Sequence, residues 1–386
     1  MTYPPFDRKW KLHGRLSGME VHGPLLTAKL HNGLQIKVLY REEYGDLQLQ
    51  DWIALDHEER IHRVAPSKRQ PLVPAAPLEL LLKWSEFLTH VKAYFTQNSF
   101  VEIQTPSLVD CPGTEPTLSV FETHIKVGST QRKKFLPTSP ELHLKKALTM
   151  GFERIFEITR CYRNDEFTDL HQPEFWMLEW YRSFANLLDI QVDCVRLIRF
   201  ISERMHWQGP LDIECVSIRS LFKKYLNYDL TPTTSRDEYL ALARSAGIEV
   251  RDHHSIDDLF FLLMLEKIEP NFSPEKLVFV EKYPPFQAAL ARRNHEGWAE
   301  RFEIYWKSME LANAFDELND PDEQRKRSQE DLLKRTHGDP IELDEEFFQA
   351  LESGMPPSAG IALGLDRLFM AFMNIKKIQE TRLFSH

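Results

Sequence analysis

The chain of 386 residues is poor in cysteine, holding only Cys111, Cys161, Cys194 and Cys215. These lie far apart and form no C-x-x-C pair. That spacing argues against a zinc site and a disulfide framework, so a reducing, cytoplasmic setting is expected. No run reaches the ~18 uncharged apolar residues of a membrane span. The opening residues, MTYPPFDRKWKLHG, lack the basic start and apolar centre of a secretory signal. Internal repeats and low-complexity tracts are missing too. Positive charge is short: the net charge is -10, with residues 1–70 at +2 and the remainder at -12. An acidic body opposes extensive non-specific nucleic-acid binding, though a local basic patch stays open.

What is present is a globular composition, 42% hydrophobic and 27% charged, on a length that suits two or three domains. Residues 9–63 contain four or five short strand-like runs, with a hairpin turn at His31-Asn32-Gly33 because Asn-Gly readily takes positive φ. A small OB-like barrel is therefore expected over 1–65. Four prolines within 66–77 oppose a helix and predict a stiff linker. Residues 78–97 follow the helical period, and 100–105 read as a strand stopped by Pro106. Ser139 is expected to cap a helix that has Pro140 in its first position. Further helices are expected over 189–205, 237–246, 257–269, 322–336 and 365–374, with strands over 276–281, 301–312 and 361–363.

The most informative stretch is 155–181, IFEITRCYRNDEFTDLHQPEFWMLEWY. Side chains alternate across a strand. Phe175, Met177, Glu179 and Tyr181 therefore share one face, as do Glu157, Thr159, Cys161 and Arg163. An antiparallel pair with those faces together places an arginine, an aromatic ring, a carboxylate and a phenol around one space. That inventory suits a nucleotide plus a cationic small molecule. A half-buried hairpin with a charged mouth fits the spacing as well.

Three signals then follow in order: the helix and strand ending at Pro106, the hairpin at 155–181, and Gly360-Ile-Ala-Leu-Gly364-Leu-Asp366-Arg367. Over about 78–385 they resemble the three signature motifs of class II aminoacyl-tRNA synthetases. TSPE at 138–141, HQPEF at 171–175, MLEWY at 177–181, ELANAFDELND at 310–320 and GIALGLDR at 360–367 resemble the lysine branch. They resemble more closely its truncated relatives that attach (R)-β-lysine to elongation factor P. The resemblance implies an α+β fold over 78–386, an antiparallel sheet flanked by helices. It also implies a homodimer formed through helix 78–97 and strand 100–106.

The resemblance further implies ATP as substrate, Mg2+ as its counterion and an aminoacyl-adenylate product. Arg163 would bridge the α-phosphate and the substrate carboxylate, which a guanidinium fork suits. Phe175 would stack on adenine and Arg367 would cover it and reach the terminal phosphate. His171 would contact the triphosphate tail, with Asn164, Asp165, Gln172, Leu311 and Gly364 completing the ATP site. Glu310 and Glu317 would hold the metal. Seven residues apart, they need a bend between them, for which Asn313 or Ala314 is the candidate. Ser139, Pro140, Glu141, Glu179, Tyr181, Glu317, Asn319 and Ala362 would form the amino-acid pocket, where paired carboxylates suit a lysine-like substrate with two amines.

Three departures matter. Asp165 replaces the usual glutamate of the second motif, Gln172 stands where relatives often have asparagine, and Ala314 where they commonly have glycine. Ala362 resembles the protein-modifying branch, since lysyl-tRNA synthetases usually carry glycine there. The barrel-like start pulls toward tRNA. Lysylation of elongation factor P is the first expectation, lysylation of tRNA the second, and a non-catalytic paralogue that binds ATP or lysine the third.

Overall fold

The computed structural model describes residues 10–66, 76–164, 167–207, 209, 211–335 and 340–384. Asp165 and most of the proline-rich stretch fall outside them. The chain forms two compact units: Met1–Lys83 with Arg382–His386, and Trp84–Thr381.

The first unit is an antiparallel sheet of β1 (Trp10–His22), β2 (Leu25–Leu30), β3 (Gln35–Leu39), β4 (Trp52–Asp56) and β5 (Ile61–Ala65), ordered β3-β2-β1-β4-β5. The first half of β1 pairs with β4 and the second half with β2, with a register shift in each ladder. Such bulges bend a strand, so one long β1 serves both halves of a curled sheet. Leu16, Leu26, Ile36, Val38, Ile53 and Leu55 fill its core beside fully buried Tyr44, whose hydroxyl accepts from the Ile61 N–H at 3.1 Å. Gly33, at φ +81°, makes the β2–β3 turn. Among the described residues no ladder joins β3 to β5, so the sheet has OB-like strand order without full closure.

The second unit is built on an eight-stranded sheet. In chain order come α1 (Leu78–Gln97), β6 (Val101–Glu102), the hairpin β7 (Glu122–Val127) and β8 (Thr130–Phe135), and α2 (Glu141–Thr149). Then follow β9 (Arg154–Tyr162), β10 (Glu174–Ser183), α3 (Leu187–Arg204), β11 (Asp212–Ser217), α4 (Ile218–Leu226), α5 (Arg236–Ser245) and α6 (Ile256–Leu263). The chain finishes with β12 (Lys276–Tyr283), β13 (Ala299–Trp306), β14 (Met309–Asp316), α7 (Pro321–Lys334), α8 (Glu345–Glu352), β15 (Ser358–Gly364) and α9 (Leu365–Met373). The sheet order is β11-β12-β13-β14-β15-β10-β9-β6. It is antiparallel at its centre, but the edge pairs β11–β12 and β6–β9 are parallel.

One face of this sheet is closed by α1, α3 and α9. Asn186 and Asp189 form a capping box that starts α3, and Ile190, Cys194, Leu197, Ile198 and Ile201 are its buried stripe. On α1, Phe95 stacks on Phe156 of β9 at 4.7 Å, and Phe87 packs against Phe369 of α9 at 5.3 Å. The opposite face is left to the site.

Several local expectations need correction. The single strand expected over 301–312 is a hairpin, because Lys307 and Ser308 both take left-handed φ, at 49° and 61°. Neither glycine nor asparagine marks that turn. The helix expected over 257–269 ends at Leu263 and continues as a π turn, Met264–Ile268. Strand 361–363 begins earlier, at Ser358.

Candidate active site

The register of the central strands assembles the site. Glu157, Glu179, Ala362 and Asn313 stand side by side on β9, β10, β15 and β14. Opposed residues share a face, so this row crosses the floor of a cavity of about 330 Å³. Arg163, Phe175, Glu310 and Arg367 line one part of that cavity and Ser139, Glu141 and Tyr181 another.

At the first part, the Arg163 guanidinium lies 5.2 Å from the centre of the Phe175 ring. Arg367 donates to the Glu310 carbonyl at 2.8 Å and to His171 Nε2 at 2.5 Å, while its guanidinium is 3.9 Å from the Glu310 carboxylate. Arginine only donates, so His171 Nε2 accepts and Nδ1 carries the proton. Nδ1 lies 2.9 Å from Thr168 Oγ1. The N-terminal end of α9 is held by Asp366, which accepts from the Trp176 N–H at 2.7 Å. Gln172 is buried and donates to the His171 carbonyl at 3.1 Å.

At the second part, Ser139 Oγ accepts from the Glu141 N–H at 2.9 Å and donates to Glu179 Oε1 at 2.6 Å. Tyr181 donates to Glu179 Oε2 at 3.0 Å. Lys145 is completely buried and lies 2.6 Å from both Glu141 Oε1 and Glu317 Oε2. One ammonium between two carboxyl groups, with Glu179 beside them, is fewer cations than acids. Burial pushes Glu179 up to about 8, reinforced by Glu141 and opposed by the Ser139 and Tyr181 hydrogen bonds. Burial likewise pushes Glu317 up to about 8, against the pull of Lys145. Lys145 itself is held above its ordinary value, since two carboxylates outweigh its desolvation. Gly360 is required for space: a Cβ there would overlap the Tyr181 ring and crowd Glu317 Oε1.

The structure brings together Ser139, Glu141, Arg163, His171, Gln172, Phe175, Tyr181, Glu310, Leu311, Ala362, Gly364 and Arg367 around the cavity. Glu179 lies just beneath it, fully buried. Pro140 takes the N-cap position of α2, so Ser139 stands one residue earlier; its hydroxyl accepts from the first helical N–H, that of Glu141, and donates to Glu179. Asn164 pairs through its backbone with Ser119, and Asn319 donates to the Met355 carbonyl at 3.1 Å. The bend needed in β14 comes from neither Asn313 nor Ala314, which keep regular pairing with Glu303 and Phe302. It comes from Leu311, the extra residue where Ile304 pairs with Ala312 but Tyr305 with Glu310. Glu310 reaches the cavity, whereas Glu317 faces Lys145. Sequence reading missed Lys145, Glu115 and the pocket role of Asn313. Lys145 had a signal, being four residues after Glu141 on one helix.

An eight-stranded, largely antiparallel sheet carrying an arginine-bearing hairpin and a strand–helix arginine is the frame of one synthetase class. Residues 75–386 match the family of class II tRNA synthetases (D, K and N), and the chain belongs to it. It is 37% identical over 320 residues to the elongation factor P–(R)-β-lysine ligase of Haemophilus ducreyi, across 81% of this chain and 95% of that protein. Ligases of the same name from Haemophilus influenzae and Edwardsiella ictaluri are 36% and 35% identical over similar shares. No helix among the described residues is long and apolar enough to cross a membrane.

Proposed function

We propose that this chain activates a lysine-type amino acid with ATP and transfers it to a lysine side chain of elongation factor P. The observation that carries the reading is the excess of carboxyl groups at one end of the cavity: Glu141, Glu179 and Glu317 gather around one buried ammonium, that of Lys145. Buried anions are costly without a partner, and the ammonium groups of a lysine supply one. The names of the relatives supply the acceptor.

In the first step a substrate carboxylate oxygen attacks the α-phosphorus of ATP, and pyrophosphate leaves with the electron pair of the broken P–O bond. In the second, the acceptor amine attacks the activated carbonyl, loses a proton, and AMP leaves. Arg163 bridges the α-phosphate and the carboxylate, aligning the two and stabilising the charge that builds between them. Phe175 supports adenine, with Asn164, Asp165 and Gln172 around its edge. His171 and Arg367, already hydrogen-bonded together, meet the triphosphate tail. Glu179 and Tyr181 receive the distal ammonium. Glu141 lines the cavity beside them, and Glu317 acts from behind it through Lys145.

Magnesium, when bound, neutralises triphosphate charge. Glu310 fits it: its carboxylate is 44% exposed within the cavity and is only loosely approached by Arg367. A hard cation held by one carboxylate and phosphate oxygens is ordinary for magnesium. Glu317 is closed on Lys145, so the metal position narrows to Glu310. The reading includes a homodimer through α1 and the following strand, a cytoplasmic setting, and a domain boundary within 66–77.

Pyrophosphate exchange dependent on a lysine isomer, followed by a mass increase on elongation factor P, is the test. Exchange without any mass increase would move the acceptor to the second reading, lysylation of tRNA. What favours that reading is the first unit, which carries OB-like strand order and places Arg15 5.4 Å over the exposed Trp52 ring. No exchange at all would leave only a binding role.

A further inference from the structure

The segment between β6 and β7 brings to the cavity a carboxylate that neither the nucleotide nor the distal amine uses. Glu115 lines the cavity, with Glu141 and Arg163 as charged neighbours. The loop is anchored on both sides of it. Thr138 Oγ1 donates to the Pro112 carbonyl at 2.6 Å, and Arg335 donates to the Glu115 carbonyl at 2.7 Å. Gly113 takes φ +137°, and a Cβ there would collide with Glu115 Oε2, so the side chain folds back over a glycine.

The other carboxylates lining the cavity have partners. Glu141 has Lys145 at 2.6 Å, Asp344 has Lys146 at 2.7 Å, and Asp366 has the Trp176 N–H at 2.7 Å. Asp331 has Lys334 at 3.5 Å, and Glu310 faces Arg367 at 3.9 Å. Among the described residues, the Glu115 carboxylate alone of this set has neither an ion pair nor a hydrogen bond from another residue. Burial and Glu141 raise its pKa, and a backbone hydrogen bond and the nearby Arg163 oppose them. Its unpaired carboxylate on the cavity wall suits a substrate cation, and its position says which one. Arg163 marks the end where the reacting carboxylate sits, and Glu179 with Tyr181 marks the distal end. Glu115 neighbours Arg163.

We propose that Glu115 receives the substrate ammonium nearer the carboxyl group, so that the cavity reads the two amines of a lysine-type acid with two separate carboxylate sets. This rests on the proposed function, because it assumes a substrate with a carboxyl group and two amines. Glu115 is then a specificity-determining residue. It favours acids that carry an amine on the first carbons over an otherwise similar acid that lacks one.

The experiment compares (R)-β-lysine with 6-aminohexanoate, which keeps the carboxyl group and distal amine but lacks the near one. Pyrophosphate exchange is measured on the full chain as wild type, Glu115→Gln and Glu115→Asp. Glu115→Gln is expected to cut the preference in kcat/KM for (R)-β-lysine over 6-aminohexanoate by about 10- to 100-fold, chiefly through KM, as loss of one charge-assisted bond does. Glu115→Asp restores part of it. A Glu115→Gln enzyme with the wild-type preference, or with equal losses on both acids, overturns the inference. If the wild type activates no lysine isomer, the proposed function falls instead. Ligand-induced shifts in Tm then decide: a larger shift with (R)-β-lysine that vanishes in Glu115→Gln supports the role, and a difference that persists, or is absent in the wild type, overturns it.

Discussion

Ala362 stands directly opposite Glu179 on one side and Asn313 on the other, in the β10–β15 and β14–β15 ladders. Its methyl group therefore belongs to the row of side chains along the cavity floor. In the proposed function, removing it opens room for one carbon beside the substrate. Ala362→Gly is expected to shift the ratio of kcat/KM toward α-lysine over (R)-β-lysine by about 1–3 kcal/mol, the usual worth of one methylene in a shaped pocket. Exchange kinetics with both isomers check this; an unchanged ratio removes Ala362 from specificity.

Glu179 makes stability depend on pH. Its folded value, about 8, lies above the ordinary 4.5, so the folded protein holds the proton more tightly than the unfolded chain. The stabilisation is complete below the ordinary value and is lost as pH rises toward 8. Urea unfolding of the ligand-free protein should therefore show stability falling between pH 5 and 8, with a shallower fall in Glu179→Gln. A saturating lysine-type ligand should recover stability at the alkaline end, since its ammonium favours the carboxylate. Identical pH profiles for wild type and variant would refute this.

Lys145→Met should be severely destabilising. It removes the cation that joins Glu141 to Glu317, and breaking a buried pair costs about 3–5 kcal/mol. A Lys145→Met, Glu317→Gln double variant should be less unstable than the sum of the single effects. Denaturant midpoints across the double-mutant cycle report the coupling.

Gly360→Ala should displace Tyr181. The glycine φ is not the obstacle; the added Cβ would occupy the Tyr181 ring position. The expected result is a loss of about 1–3 kcal/mol in stability from overpacking, together with a raised KM for the amino acid and little change in KM for ATP. A KM effect on ATP alone would contradict the placement of Tyr181.

Arg163→Lys keeps a positive charge but loses the planar fork. The kcat for exchange should fall about 10²- to 10³-fold, as removal of one preorganised donor commonly does. Intrinsic Trp fluorescence and Tm should hardly move, because Arg163 stands at the cavity wall and not in the core.

Much of the site could be read along the chain because its residues are close in sequence. Phe175, Glu179 and Tyr181 share one face of a strand by parity, as Arg163 does with Cys161 and Glu157, and the β9–β10 register brings the two sets to the same side. The Gly360–Arg367 stretch was legible as a strand passing into a helix. The turn at Lys307-Ser308 was not, since side chains that tolerate left-handed φ only under tertiary pressure leave no turn signal. The bulge at Leu311 was invisible for a related reason: a register shift belongs to a pair of strands, and one strand cannot show it.

The sequence by itself determined the family, the hairpin that carries the arginine and many of the charged and aromatic residues that line the cavity, because periodicity and motif spacing are local properties. Only the tertiary structure decided the pairing of charges. Lys145 is drawn between Glu141 and Glu317, Ser139 joins the start of α2 to Glu179, and Glu317 is set away from the cavity that Glu310 faces. Burial of charge depends on which strands and helices meet. Which carboxylate is neutralised by the protein, and which waits for a cation from outside, is therefore settled by packing.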